Sequence, residues 1–79
     1  MLTEALFARS LVETFILGEH ESALATVDTA LSLKPSYADA LALKASILNE
    51  LGSFDAAITA LDKAKVLRPG FPVEYIIIE

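Results

Sequence analysis

The chain has no cysteine and no tryptophan, one histidine, one methionine, and only three glycines and three prolines in 79 residues. Without cysteine it has no disulfide framework, no thiol nucleophile and no cysteine-ligated zinc site. His20 has no second histidine with which to build a relay, and no G-x-S-x-G stretch accompanies the serines, so a hydrolase site is not encoded. Gly18, Gly52 and Gly70 stand apart, which leaves no phosphate-cradling loop. Positive charge is scarce: 6 Lys+Arg against 11 Asp+Glu give a formal charge of -5 and a pI near 4.7, the wrong sign for nucleic acid or an anionic membrane surface. Long apolar runs are missing as well. Phe15-Ile16-Leu17 and Tyr75-Ile76-Ile77-Ile78 fall far short of the roughly 18 residues of a membrane span, and Glu4, Arg9 and Glu13 interrupt the stretch a signal peptide keeps apolar. These absences predict a soluble, cytoplasmic, non-enzymatic single domain with no cofactor and no metal.

What the chain does have is hydrophobicity, 54% of its residues and a mean hydropathy of +0.54, arranged with an internal period. A shift of 34 residues superposes Ala8 on Ala42, Leu17-Gly18 on Leu51-Gly52, Ala23 on Ala57, Asp28 on Asp62, Ala30 on Ala64, Leu33 on Leu67 and Pro35 on Pro69. Conservative pairs keep the register: Glu21/Asp55, Leu24/Ile58, Val27/Leu61, Lys34/Arg68 and Tyr37/Phe71.

Each period reads as two helices, because Ala23, Leu24, Val27, Ala30 and Leu31, and again Ala57, Ile58, Leu61 and Ala64, recur at helical rather than alternating spacing. Thr3 opens a first helix that runs to Leu17, and Gly18 stops it; Glu19 to Leu33 forms the second, closed before Pro35. In the next period Ser36 is expected to cap a helix from Tyr37 to Leu51 in an approximate capping box with Asp39. Gly52 supplies its left-handed stop, and Ser53 caps a last helix to Leu67.

Glycine at the bend, an aromatic two residues on, alanine three beyond it, a second alanine seven further and proline at the close resemble the tetratricopeptide repeat. Gly52, Phe54, Ala57, Ala64 and Pro69 carry that order, as do Gly18, Ala23, Ala30 and Pro35 with His20 in the aromatic place. In that place His20 is a packing or helix-start residue rather than a ligand. The resemblance covers Glu4 to Phe71. It implies an all-α solenoid of two helix-turn-helix repeats, residues 4–37 and 38–71, with the tail 72–79 as a short partial cap. The family usually sets a large aromatic early in the first helix and a small residue four later where helices cross. Here the pairs are Phe7/Leu11 and Leu41/Ala45, and the bulk of Leu11 predicts a first helix that sits shifted or splayed.

The resemblance also implies a task. In the family one face of each first helix lines a concave groove that holds a protein or peptide. Carried over, these positions are Ala5, Ala8, Val12, Phe15 and Ile16, then Asp39, Ala42, Ser46, Asn49 and Glu50, one half apolar and the other polar-acidic. Such a groove suits an apolar or amphipathic peptide or helix, with basic flanks. The subclass that clamps the C-terminal carboxylate of chaperones carries Lys and Asn where this chain has Ala8 and Val12, so that ligand is not expected. The second class of function is self-assembly into a homo-oligomer, since two repeats leave stacking ends without neighbours, and Val12, Phe15 and Ile16 are equally read as covered by the C-terminal tail or by another copy. Pro72 can start a further helix, with Tyr75 and Ile78 at the core positions of a third repeat. Tyr75, Ile76, Ile77 and Ile78 are accordingly the expected oligomer contacts, docked on the last helix of their own chain or a neighbour, or paired as a strand.

Overall fold

Left-handed backbone at two glycines makes the bend inside each of two helical pairs. The computed structural model describes residues 2–68, which form α1 (Leu2–Phe15), α2 (His20–Leu33), α3 (Ala38–Glu50) and α4 (Phe54–Leu67). Gly18 and Gly52 take φ of +67° and +82°, with open space where a Cβ would sit, so they are required by conformation and not by crowding. At Gly52 the close is a Schellman motif: the Ser53 N–H donates to the Leu48 carbonyl at 2.8 Å and the Gly52 N–H to that of Asn49 at 3.1 Å. After Gly18 the Glu19 N–H reaches back to the Glu13 carbonyl at 2.7 Å.

The 34-residue period is present in the backbone as well as in the sequence. Glu19 and Ser53, which open α2 and α4, have φ/ψ of -92°/75° and -88°/70°; Lys34 and Arg68, which close them, have -143°/85° and -138°/85°. The expected caps are not all realised. Tyr37, not Ser36, is the N-cap of α3, and neither Tyr37 nor Ser53 makes a side-chain cap bond. Asp39 does not close a capping box: with Tyr37 at the N-cap it stands at N2 instead of N3, and its carboxylate accepts from the Arg68 guanidinium.

α2 and α3 form the middle of the row of helices, and α3 is packed on two sides. Toward the first repeat, Ala40, Leu43 and Ile47 meet Ala23 and Val27, with Phe7, Leu11 and Tyr37 around them. Toward α4, Leu41, Ala42 and Ala45 meet Ala60 and Ala64, and Leu31 touches both clusters. Alanine at so many of these positions lets the helices approach closely, while wholly buried Val27 and Ile47 each contribute about 1.5–3 kcal/mol of hydrophobic stabilisation. The expected splay of the first helix is absent. α1 lies against α2 as extensively as α3 lies against α4, because the small, wholly buried residue on α1 is Ser10, and Leu11 sits half-buried at the margin of the Val27–Ile47 cluster.

Candidate functional site

In α1 the usual distribution of polarity is reversed. Its buried residues are Ser10, Glu13 and Thr14, which one helical register later, on α3, correspond to Lys44, Ile47 and Leu48. The hydroxyls are satisfied locally: Ser10 Oγ donates to the Phe7 carbonyl at 2.8 Å and Thr14 Oγ1 to the Ser10 carbonyl at 2.7 Å. Glu13 ties α1 to α2, its Oε2 accepting from Ser22 Oγ at 2.6 Å with Arg9 Nε 3.7 Å away. The Ser22 hydroxyl chiefly, then the Thr26 hydroxyl and the Arg9 charge, hold the Glu13 carboxyl below the ordinary glutamate value against the opposing effect of burial.

A helix that seals to its neighbour through polar groups turns its apolar residues elsewhere. Val12, Phe15 and Ile16 are 43%, 67% and 75% exposed, and Ala5 and Ala8 are exposed beside them. At 100° per residue these five positions span one face of α1 and its continuation, opposite Ser10 and Thr14. The five residues expected as the apolar half of a groove thus lie exposed on one side of α1 and the turn after it.

The other half is less accessible than expected. Ala42 is 4% exposed, because α3 is packed against α4 on that side and the methyl group lies among Leu41, Ala45 and Ala60. It cannot line a groove. Asp39, Ser46 and Asn49 are half-buried, Glu50 is exposed, and Asp39 is already engaged by Arg68. α1 and α3 meet over only a short stretch, so the apolar stripe and the polar edge are separate surfaces rather than two walls in mutual contact. Tyr75, Ile76, Ile77 and Ile78 lie outside the described residues. His20 is the first residue of α2, half-buried, and among the described residues no group of His, Asp and Glu could hold a metal ion.

At the other end of the row the sequence leads to a tail docked on the last helix, without naming a surface. A cleft of 520 Å³ opens where the start of α3 meets the end of α4, walled by Pro35, Leu41, Val66 and Leu67 with Asp62 and Lys63 on its rim. Val66 is 80% exposed there.

The family model described as tetratricopeptide repeat matches residues 15–72, more than half of the chain. That span takes in α2, α3 and α4 and leaves out all but the last residue of α1, the helix whose crossing residues and buried polar face depart from the pattern. No curated protein and no solved structure matches the chain significantly. The matched span, the paired helices and a 34-residue period carried in both side chains and backbone angles agree, and the chain belongs to the tetratricopeptide repeat family.

Proposed function

We propose that the outward stripe of α1, Ala5, Ala8, Val12, Phe15 and Ile16, holds the apolar face of an amphipathic peptide or helix supplied by another protein. The family is one of protein–protein interaction modules. The observation that carries the finer reading is on α1 and the turn after it: the helix buries Ser10, Glu13 and Thr14 in its own fold while Val12, Phe15 and Ile16 stay in solvent. Apolar side chains contiguous on one helix face mark an interface, and the helix-in-groove mode reads them at this spacing. The partner is basic at its flanks, because the chain carries -5 overall and Glu4 is exposed on α1 beside the stripe. The role is a holding one, without catalysis or cofactor, in the cytoplasm. No helix among the described residues is long and apolar enough to cross a membrane.

Fluorescence anisotropy with labelled amphipathic helical peptides of basic, neutral and acidic flanks tests this. Basic flanks give the tightest binding, weakening with salt, and replacing Phe15 and Ile16 together with Ser weakens it about tenfold or more. Equal affinity for all three peptides in both proteins contradicts the proposal.

A further inference from the structure

In the backbone, α1 is offset by one residue from the 34-residue period of the sequence. The Glu19 and Ser53 N–H groups, 34 residues apart, donate to the carbonyls of Glu13 and Leu48, which are 35 apart, and α1 and α3 end at Phe15 and Glu50, also 35 apart. Two residues, Ile16 and Leu17, separate α1 from Gly18, where Leu51 alone separates α3 from Gly52. In this register wholly buried Ser10 stands for wholly buried Ala45, and buried Glu13 for buried Leu48. Ala5, Ala8, Arg9 and Val12 then stand for Ala40, Leu43, Lys44 and Ile47. Those four are the residues through which α3 meets the repeat before it. Ala40, Leu43 and Ile47 pack on Ala23 and Val27 with Leu24 beside them, and Lys44 Nζ lies 2.7 Å from Asp28 Oδ1.

We propose that this face of α1 takes the outer face of α4 from a second copy, with Val12 against Ile58 and Leu61 and Arg9 on Asp62. The inference rests on the reading of the α1 stripe as a partner surface and names the partner for its Ala5, Ala8 and Val12 part. Advanced by 34, the α2 residues that lie under α3, Ala23, Leu24, Val27 and Asp28, become Ala57, Ile58, Leu61 and Asp62 on α4. Leu24 is half-buried beneath α3, whereas Ile58 is 47% exposed; Val27 is wholly buried, whereas Leu61 is only half-buried. α4 therefore offers, uncovered, an apolar pair at the spacing that α3 covers on α2. Charge selects the occupant. Exposed Arg9 stands where Lys44 does and exposed Asp62 where Asp28 does, so a second copy repeats the cation-on-aspartate pair that joins the two repeats. Exposed Lys63 and Lys65 also give α4 the basic flank that suits the stripe. Phe15 and Ile16 correspond in this register to Glu50 and Leu51, which stay exposed with a repeat alongside, so they lie outside the stack. The contact joins two different faces, and each added copy leaves one of each open for the next.

Sedimentation velocity of the full chain across a dilution series tests it, with Val12→Asp and Ile58→Asp, both at exposed positions, each spoiling one face and leaving the other intact. Circular dichroism melts check that each variant folds, and Val12→Ser or Ile58→Ser replaces one that does not. The wild-type mass is expected to grow with concentration beyond 8.5 kDa, while each variant alone stays at one copy. A 1:1 mixture of the variants should stop at two copies, since only the α1 of Ile58→Asp and the α4 of Val12→Asp can meet. Asp62→Arg sets two cations face to face and should weaken the wild-type association about fivefold. A wild type that stays monomeric, variants that associate as it does, a mixture that stays at one copy or grows past two, or indifference to Asp62→Arg each overturns the inference. Ile58→Asp keeps the whole stripe, so its binding of the amphipathic peptide with basic flanks, read by fluorescence anisotropy, tests the wider reading separately. Binding of that peptide beside a monomeric wild type removes the second copy as occupant and leaves the stripe a partner surface.

Discussion

Ile47 is the side chain on which the joining of the two repeats depends most. It is wholly buried on α3, in the cluster that also holds Ala23 and Val27 of the first repeat, and no larger side chain in the described chain is so completely enclosed. Ile47→Val removes one methyl group and should cost about 0.5–1.5 kcal/mol; Ile47→Ala should cost about 2–5 kcal/mol, the upper part if α2 cannot close on the cavity. A domain of 79 residues has about 4–12 kcal/mol in total at typical stability per residue, so the alanine variant removes a large share of it. In melting temperature that is about 4–8 °C for each kcal/mol. Ile58→Ala is the control, since Ile58 is half exposed on α4 and its truncation should be nearly neutral. Chemical denaturation followed by circular dichroism reads all three variants. If Ile47→Ala melts with the wild type, or falls no further than Ile58→Ala, then α3 does not bind the two repeats into one core.

Three other outcomes follow from the same geometry. Because the folded chain holds the Glu13 carboxyl below its ordinary value of 4.5, Glu13 stabilises the fold fully above that pH, and the gain is lost as pH falls through the lowered value. The melting-temperature gap between wild type and Glu13→Gln should be open at pH 7 and close toward pH 3; a gap that ignores pH removes the ionised carboxylate from the α1–α2 seam. Gly52→Ala should destabilise by about 1–2 kcal/mol and Gly52→Asn by less, since only the left-handed backbone opposes them, and equal melts for all three proteins contradict the Schellman close. Arg68→Ala should cost less than about 1 kcal/mol because both partners of the Asp39 pair are about half exposed, and a larger loss in denaturation assigns Arg68 a wider role.

The fold was legible because its signals are local and repeated. Gly18 and Gly52 at the bends, and Ala23, Ala30, Ala57 and Ala64 at helical spacing, state where helices stop and which faces close, and the structure places all four alanines wholly out of solvent. The surface was less legible because exposure depends on which helix lies alongside. Ala42 resembles Ala8 by position, yet α4 covers the one and nothing in the described chain covers the other. The burial of Glu13 was hidden for the same reason: the sequence offers Ser22 nine residues away with no sign that the two meet. Ser36 failed as a cap because helix starts are decided within a residue or two, and a serine before an N-cap looks in sequence like a serine at one.

The central claim is that the apolar stripe of α1 is a partner surface. The most direct measurement is an amide chemical-shift map of the isotope-labelled chain, titrated with an amphipathic helical peptide with basic flanks. The account predicts that the largest changes fall at Ala8, Val12, Phe15 and Ile16 and are lost when Phe15 and Ile16 are replaced by Ser. Changes confined to the cleft of Leu41 and Val66, or changes that survive the double replacement, contradict it.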